Sequence, residues 1–393
     1  MSLKKIENKV YYGKRLTPED ALALFESDDI FAIGRLASYI ARKKNGDNVY
    51  FVQNYHINPT NICVNRCKFC AFSRSKGEKG AYELTIKEII QKLKHTNPPL
   101  PPFSKGGMGG FFKEVHIVGG LHPDRSFDFY IDMVRRIKNA FPHIHIKAFT
   151  AVEIDYFTKI SRLSLTDTLR ALKNAGLDSM PGGGAEIFNK GIRNKICAEK
   201  IDGRRWLEVM ENAHRAGIRS NATMLYGHIE KYEHRVEHML KLRELQDRTG
   251  GFQAFIPLAF HPKNTRINNP PLPPDNPPTS PFVKGGQRGI FKGGMGGYTS
   301  GIDDLKTIAI SRLFLDNFPH IKAYWIMLGE KIAQLALLFG ADDVDGTVIE
   351  EKITHSAGAL SEKGMSKNEL INLIKKSGKM PVERDGFYKP VSA

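Results

Sequence analysis

Strand-like runs alternate with helical stretches along most of the chain, and this alternation constrains the fold more than any other feature. Eight strands, each followed by a helix, predict an α/β fold of the TIM type, a (β/α)8 barrel. An incomplete barrel of six strands with extra elements at its ends is the alternative. The runs lie at 49–57, 114–118, 144–150, 176–180, 220–226, 252–260 and 321–327, with a weaker one at 342–348. Helices are expected at 83–95, 126–140, 164–175, 204–216, 231–248, 302–317 and 330–339.

The sequence on either side of this alternation reads as two smaller parts. Residues 1–48 are expected to be a helical segment, with a helix capped by Thr17 and begun by Pro18. The barrel is then expected over 49–348. Residues 349–393 form a C-terminal extension, whose helix at 366–376 packs outside the barrel or closes one end.

Composition and charge exclude several classes of protein. The 393 residues are 41% hydrophobic and 25% charged, unlike a disordered tail, a collagen or a disulfide miniprotein. No apolar run reaches the ~18 residues of a membrane span, and the first residues lack the apolar core of a signal peptide. We therefore expect a cytoplasmic protein with no membrane partner. The net charge of +16 is spread along the chain without an RNP-type motif, which favours anionic small ligands over nucleic acid.

Two proline- and glycine-rich segments, 97–112 and 270–297, interrupt the pattern. When 102–113 is aligned with 281–292, eight of twelve positions are identical. Such sequences bury too little apolar surface to order themselves, so we predict two disordered insertions. A genuine glycine-rich ligand loop is the alternative, but neither copy has the strand–GxGxxG–helix context of one.

Polar, glycine-rich and cysteine-containing sequences follow the predicted strands. They read NPTNICVNRCKFCAF, GGLHP, AVEID, PGGGAE, GHIE and HPKNT, after the first six strands in turn. Barrel enzymes build their active sites at the carboxyl ends of their strands. The sequence therefore predicts a site assembled from these six loops.

Three of the four cysteines lie in the first of these loops, as Cys63-x3-Cys67-x2-Cys70, and Cys197 stands alone. A structural zinc site needs four ligands, and His56 is the candidate for completing a Cys3His set. Iron–sulfur clusters usually take four cysteines. Three thiolates on a [4Fe–4S] cluster would leave one iron open to another ligand.

This cysteine spacing, with Phe69 before the last cysteine, resembles that of the radical S-adenosylmethionine (SAM) superfamily. The longer stretches EVHIVGGLHPD, GLDSMPGGGAEIF, NATMLYGHIE and DDVDGTVIEEKITHSAGA extend the resemblance from about residue 1 to 390, broken only by the two segments. They resemble aminofutalosine synthase, also named aminodeoxyfutalosine synthase. The sister family, dehypoxanthine futalosine cyclase, shares the cysteine loop and PGGGAE but differs around 226–228, 257–258 and 261–262.

The resemblance implies a reaction and its cofactors. Cys63, Cys67 and Cys70 would hold a [4Fe–4S] cluster, and SAM would be consumed as a co-substrate. Its 5′-deoxyadenosyl radical would add to 3-[(1-carboxyvinyl)oxy]benzoate, with rearrangement and decarboxylation, giving 6-amino-6-deoxyfutalosine for menaquinone biosynthesis. A reducing donor such as flavodoxin or ferredoxin would be the partner. The remaining alternatives are the sister cyclase and a basic zinc-dependent nucleic-acid binder.

The resemblance also indicates which residues contact SAM. Gly119 and Gly120 would replace the usual Gly-Gly-Glu motif that meets the SAM amino group, although a plain turn would also explain them. Glu153 suits the ribose hydroxyls or the amino group, unless it is a solvated surface residue. Phe69 and Met224 are expected against the adenine, with a role in the core as the alternative.

A substrate with two carboxylates needs cations or hydrogen-bond donors in its pocket. His122, His228 and His261 follow strand ends, and Arg74 follows the cysteine loop. We expect two of these four to contact the substrate or to assist proton transfer. A structural histidine is the alternative for each ring, and Cys197 is expected to be a spectator thiol.

Overall fold

The computed structural model describes residues 3–96, 112–267, 299–362 and 364–391. The two segments predicted to be disordered, 97–112 and 270–297, therefore lie outside the described residues except for Phe112. That residue is 2% exposed, and its ring stacks on Tyr55 with the ring centroids 5.5 Å apart. Among the helices of the described ranges, none has both the length and the apolar character needed to cross a bilayer.

Helices and strands alternate through the described ranges. The strands are β1 Asn48–Val52, β2 Asn54–Ile57, β3 Glu114–Ile117, β4 His145–Ala148, β5 Ser179–Met180, β6 Arg219–Tyr226, β7 Phe252–Ala259, β8 His320–Ile321, β9 Asp343–Gly346 and β10 Met380–Glu383. The helices are α1 Leu3–Tyr11, α2 Pro18–Glu26, α3 Ile30–Asn45, α4 Ile86–Thr96, α5 Phe127–Ala140, α6 Ala151–Ser161, α7 Leu165–Ala175, α8 Lys190–Cys197, α9 Gly203–Arg215, α10 Tyr232–Thr249, α11 Gly301–Phe314, α12 Trp325–Leu328, α13 Glu330–Ala336, α14 Ile353–Ser356 and α15 Lys367–Lys376.

Seven parallel strands, β2 to β8 in chain order, form one curled sheet. The eighth predicted strand is β9; β9 and the segment just after it touch the two edges of that sheet through isolated parallel bridges. Asp343 pairs with Lys322 just after β8, and Ile349 pairs with Tyr55 of β2. The prediction of a barrel-type α/β fold is thus confirmed, with an eighth strand joined to the seven-stranded sheet by single bridges.

The first predicted strand, 49–57, is two strands in the structure. It breaks at Gln53 into β1 and β2. β1 lies in a separate three-stranded parallel sheet between β9 and β10. β9 therefore belongs to the small sheet and also bridges to the β8 edge of the barrel, while Ile349, just after it, bridges to the β2 edge.

Successive side chains of a barrel strand face opposite sides. In β3, Val115 and Ile117 are buried in the core with the helices, whereas Glu114 and His116 line a central cavity. In β6, Thr223 likewise lines this cavity. The strands thus carry an apolar outer face under the helices, and an inner face that mixes these polar side chains with apolar ones such as Leu225 and Leu258.

The segment after α15 closes the amino end of the barrel. Arg384 is fully buried, and its Nε donates to Asp343 Oδ2 at 2.9 Å at the start of β9. The carbonyl of Gly386 accepts a 3.1 Å hydrogen bond from Gln253 Nε2 in β7. A Cβ at Gly386 would lie 2.2 Å from the ring of His145, so a side chain would not fit there. We call residues 383–391 the plug.

Helices α1 to α3 precede the barrel. The predicted cap is confirmed, because the Thr17 hydroxyl accepts the Asp20 N–H at 3.3 Å and Pro18 begins α2. Arg15 joins this part to the barrel: its Nη1 lies 2.6 Å from Asp247 Oδ2, and its Nε lies 2.9 Å from Asp316 Oδ2.

Candidate active site

A cavity of about 310 Å³ opens where the barrel strands end. Its wall includes the cysteine loop (58–74) after β2, the glycines after β3, the start of α6 after β4 and the glycine run after β5. This is the end of the barrel at which the sequence predicted a site. Eight of the twelve predicted site residues line the cavity: Cys63, Cys67, Cys70, Phe69, Gly119, Gly120, Glu153 and His261.

The cysteine loop is held at both ends by backbone hydrogen bonds. The Cys63 N–H donates to the Arg74 carbonyl at 3.1 Å, which closes the loop on itself. The Lys68 N–H donates to the Ile196 carbonyl at 2.8 Å, at the end of α8. The positions of the thiols are therefore set by the loop and by its packing on α8.

Cys63 and Cys67 lie in surroundings that disfavour the free thiolate. Burial raises the pKa of Cys67 to about 12 and raises that of Cys63 above its ordinary value. A thiolate is needed to ligate a metal, and a bound metal ion supplies the positive charge that stabilises it. The loop thus fits a metal centre better than a set of reactive free thiols.

The arrangement of these side chains distinguishes between kinds of metal centre. Within the described ranges, no three His, Cys, Asp or Glu side chains converge on a position that could hold one metal ion. The Cys3His zinc site with His56 is therefore not formed, and His56 lies in β2 against the ring of His116, 4.6 Å away. Three separated thiols on one cavity wall fit an iron–sulfur cluster, because each cysteine there binds a different iron atom.

Gly119 and Gly120 let the cysteine loop approach the end of β3. A Cβ at Gly120 would lie 2.2 Å from the Ile62 carbonyl oxygen and 3.1 Å from Cys63 Cβ. The Gly119 N–H donates to Glu153 Oε1 at 3.1 Å. The two glycines thus line the cavity and also fix the distance between the loop and the barrel.

Glu153 is a buried carboxylate rather than a surface residue. It stands at the third position of α6 in a capping box, where its Oε2 accepts the Thr150 N–H at 2.7 Å. Phe149, just before this cap, has a φ of 61°, an uncommon conformation that turns the chain from β4 into α6. Burial raises the pKa of Glu153 to about 7, against the hydrogen bonds from Thr150 and Gly119 that lower it.

Lys200 is a cavity residue that the sequence did not single out. Its Nζ lies 2.5 Å from Glu186 Oε1 and 4.9 Å from the centre of the Phe69 ring. Burial works to lower its pKa, but Glu186, Cys67 and Cys197 raise it above the ordinary value. A positive charge therefore stands beside the cysteine loop.

Met224 and His261 differ in where their side chains lie. Met224 is fully buried and outside the cavity lining, because its neighbours Thr223 and Leu225 face the cavity and the strand alternates. His261 lines the cavity, and its Nε2 donates to the Met327 carbonyl at 2.9 Å. Burial lowers its pKa, so the ring is neutral near pH 7.

His122, His228 and Arg74 lie outside the cavity lining. The His122 Nε2 lies 3.0 Å from Glu83 Oε2 on the outer side of the loops. His228 is fully buried, and both of its ring nitrogens bond to backbone groups. Arg74 donates to the carbonyl of Ala71 at 2.9 Å, within its own loop. In this structure these three side chains are engaged with the loops themselves.

The inner face of the barrel adds polar residues that the sequence analysis missed. Glu114 Oε2 and Lys147 Nζ lie 2.6 Å apart, each about 1% exposed. Burial works to raise the pKa of Glu114, but Lys147 together with His145, Arg384 and Lys322 outweighs it and brings that pKa to about 2. His56, His116 and Asn221 lie in the same lining. The sequence does carry a signal for this inner face. In EVHIV and IHIKA, polar residues alternate with apolar ones in strands that are covered on both faces.

Comparison with known proteins agrees with this site. The model described as the radical SAM superfamily matches residues 57–242, and that of the CofH/MqnC C-terminal region matches 292–392. Aminodeoxyfutalosine synthases of Thermus thermophilus and Streptomyces coelicolor are 44% and 41% identical to this chain. Each alignment covers 98% of the chain, and 95% and 93% of the relatives. The chain belongs to the aminodeoxyfutalosine synthase family of radical SAM enzymes.

Membership of this family implies an enzyme with a [4Fe–4S] cluster and SAM. Relatives with another name also match: the 5-amino-6-(D-ribitylamino)uracil–L-tyrosine 4-hydroxyphenyl transferase of Methanococcoides burtonii is 39% identical over 98% of the chain and 99% of its own length. Among solved structures, methylornithine synthase superposes with a TM-score of 0.68 at 17% identity, covering 96% and 97% of the two chains. At that identity the likeness concerns the fold alone.

Proposed function

We propose that this enzyme is an aminodeoxyfutalosine synthase, which joins the 5′-deoxyadenosyl group of SAM to 3-[(1-carboxyvinyl)oxy]benzoate to form 6-amino-6-deoxyfutalosine. The observation that carries the proposal is the meeting of the three cysteines, Gly119 and Glu153 in one enclosed cavity, in a chain 44% identical to such a synthase. The enzyme would act in the cytoplasm, in menaquinone biosynthesis.

Cys63, Cys67 and Cys70 would hold the cluster. When bound together, the reduced cluster and SAM supply the 5′-deoxyadenosyl radical that adds to the vinyl ether. The chain's own part begins with the rigid loop, whose hydrogen bond from Lys68 to Ile196 keeps the thiols on the cavity wall. A fixed site of this kind needs little rearrangement when its ligands bind.

Other lining residues would hold SAM in position. The Glu153 carboxylate suits an ammonium group or the ribose hydroxyls, since both donate hydrogen bonds. Lys200, beside the cysteine loop and the Phe69 ring, is a cation within reach of the same part of the cavity. Apolar side chains such as Leu258 and Phe260 complete the wall and exclude water from a reactive species.

Electron transfer would use the outer side of the cysteine loop. Val64, between the first two cysteines, is 47% exposed, and Lys68 beside it is also exposed. An electron carrier such as flavodoxin or ferredoxin, with acidic groups around its redox centre, would meet basic side chains there.

The names of the relatives define the competing activities. Transferases acting on tyrosine are 36–39% identical to the chain, slightly below the synthases. The sister cyclase is the second competitor, and the residues that separate it lie at 226–228, 257–258 and 261–262. Because all would share the cysteine loop and SAM, only the second substrate distinguishes them.

The test uses anaerobically reconstituted protein with SAM, dithionite and 3-[(1-carboxyvinyl)oxy]benzoate, followed by mass spectrometry. We expect aminodeoxyfutalosine, and none from Cys67→Ala, which lacks one cluster ligand. Parallel reactions contain tyrosine with 5-amino-6-(D-ribitylamino)uracil, or dehypoxanthine futalosine. An adduct of tyrosine with the uracil, or a cyclised product from dehypoxanthine futalosine, with no product from the benzoate, would reject the proposal in favour of that activity.

A further inference from the structure

Two buried polar atoms of the cavity have no hydrogen-bond partner within the described ranges. They are Nε2 of His56 and Oδ1 of Asn221, and the two residues are 7% and 3% exposed. Both residues line the cavity. Buried polar atoms are nearly always paired, and an unpaired one facing a cavity indicates a ligand atom that completes it.

The backbone and a neighbouring ring fix the direction of the His56 side chain. Its N–H donates to the Ile349 carbonyl at 3.0 Å, on the side of the bridge between β2 and the segment after β9. The centroid of its ring lies 4.6 Å from that of the His116 ring. In the register of the sheet, His56 of β2 is aligned with His116 of β3, and His116 with Lys147 of β4. His56 therefore belongs to one layer of inward side chains below the loops.

The carboxylates near this layer already have their own cations. Glu114 lies 2.6 Å from Lys147 and Asp345 lies 2.5 Å from Lys322. Burial lowers the pKa of His56, so its imidazole is neutral near pH 7. Glu351, which also lines the cavity, is bonded to His355, so each of these three carboxylates has a partner of its own.

Two donors of this layer favour an anionic ligand. The Nε2–H tautomer of His56 donates one bond, and the Lys147 ammonium, which gives one N–H to Glu114, has two further N–H bonds. The unpaired atom of Asn221 is an oxygen, which accepts a hydrogen bond, so Asn221 is not one of these donors. A neutral and a charged donor in one layer of the sheet match a carboxylate, which accepts several bonds at once.

We propose that His56, with Lys147, forms a subsite for the ring carboxylate of the benzoate substrate. The vinyl ether of that substrate must lie near the cysteine loop, where the adenosyl group is transferred. The meta carboxylate is then the distant end and reaches the layer of His56. The inference rests on the proposed function, from which it takes the substrate.

The test measures binding without turnover, on reconstituted enzyme with SAM and no reductant. Equilibrium dialysis compares 3-[(1-carboxyvinyl)oxy]benzoate with 2-phenoxyacrylate, which lacks only the ring carboxylate. Hydrogen bonds to a charged group predict that the wild type binds the diacid about 10- to 100-fold more tightly. His56→Leu is expected to lower this ratio about tenfold, and His56→Gln, which keeps a donor, to lower it less.

His145→Leu is the matched control, because His145 is a barrel-interior histidine outside the cavity lining, and its ratio should equal that of the wild type. A wild-type ratio near one overturns the subsite without any variant. The subsite is also overturned if His56→Leu weakens the binding of both ligands equally. If either of these binding results is found and the wild type still makes aminodeoxyfutalosine, the subsite is wrong and the proposed function stands. If the wild type makes no aminodeoxyfutalosine and binds neither ligand, the subsite and the proposed function are both wrong.

Discussion

The contact between Gly120 and the cysteine loop yields the sharpest prediction. A Cβ at this position would lie 2.2 Å from the Ile62 carbonyl oxygen and 2.7 Å from its carbonyl carbon. Ordinary contact begins at 3.4 Å, so Gly120→Ala forces the backbone of the loop to move by about 1.2 Å. Cys63, the next residue, moves with it.

That displacement is large for a metal site. Ligand distances in metal centres hold to within about 0.2 Å, so a shift of about 1 Å removes Cys63 from a working geometry. Over-packing alone also costs about 1–3 kcal/mol of folding free energy. We therefore expect the purified Gly120→Ala protein to carry less than half of the wild-type iron, measured by iron and sulfide analysis and by the visible absorption of the cluster.

Gly119→Ala is the matched control. Its Cβ would meet the Thr60 carbonyl oxygen at 3.2 Å, a contact relieved by a few tenths of an ångström. Neither glycine has a positive φ, so alanine is not strained by the backbone at either position. We expect near-normal iron in this variant. Wild-type iron content in Gly120→Ala, with unchanged absorption, would refute the reasoning that this contact sets the geometry of the loop.

Three other predictions concern buried charge. Burial raises the pKa of Glu153 to about 7, so the affinity for SAM, measured without reductant, should rise with pH up to about 7 and fall by up to tenfold per pH unit below it. Glu153→Gln should remove this pH dependence. A flat pH profile in the wild type would contradict the role given to Glu153. Lys147→Met leaves the charge of Glu114 unpaired, which costs about 3–5 kcal/mol in chemical denaturation, and adding Glu114→Gln should recover most of that loss. Arg384→Met, in the plug, should lower the free energy of unfolding by a similar amount, about 3–5 kcal/mol, because it leaves Asp343 unpaired. Arg15→Ala, at an exposed ion pair, should lower it by less than about 1 kcal/mol. Equal losses of stability in the two variants would contradict this reasoning.

The strand pattern was predictable because hydrophobic runs report burial directly. Seven of the eight predicted runs contain or largely overlap a strand, including the weak one at 342–348, but the run at 321–327 was mostly wrong, because only Ile321 is in β8 and Trp325–Leu328 is helix α12. What the pattern could not give was the break at Gln53. The split depends on β1 leaving the barrel to pair with β10, and no local property of 49–57 reveals a partner so distant in the chain.

The misses have two different physical origins. Helix α6 was read as a polar loop, although Thr150 and Glu153 form the T-x-x-E capping box that marks a helix start. Met224 was expected against the adenine of SAM. Neighbouring residues of a strand face opposite sides, so Met224 faces the helices while Thr223 and Leu225 face the cavity. In contrast, the directions of His122 and His228 depend on turns whose geometry no periodicity encodes.

The residues facing the barrel interior were the hardest to foresee. Parallel strands covered on both faces are usually apolar throughout, so Glu114, His116 and Lys147 read as exceptions rather than as a layer. Their partners come from neighbouring strands about thirty residues apart. Only the register of the sheet brings them together.

The small sheet of β10, β1 and β9 affects the order in which the chain can fold. Gln53, at the end of β1, donates a 2.7 Å hydrogen bond to Glu383, 330 residues later. Contacts so remote in sequence form late and slow the folding of a chain. As the ribosome makes this protein, β1 and the cysteine loop emerge early, yet both neighbours of β1 arrive only with the last barrel strand and the plug. The small sheet is therefore complete only when synthesis is nearly finished, whereas the partners of the cysteine loop, Arg74 and Ile196, are made much earlier.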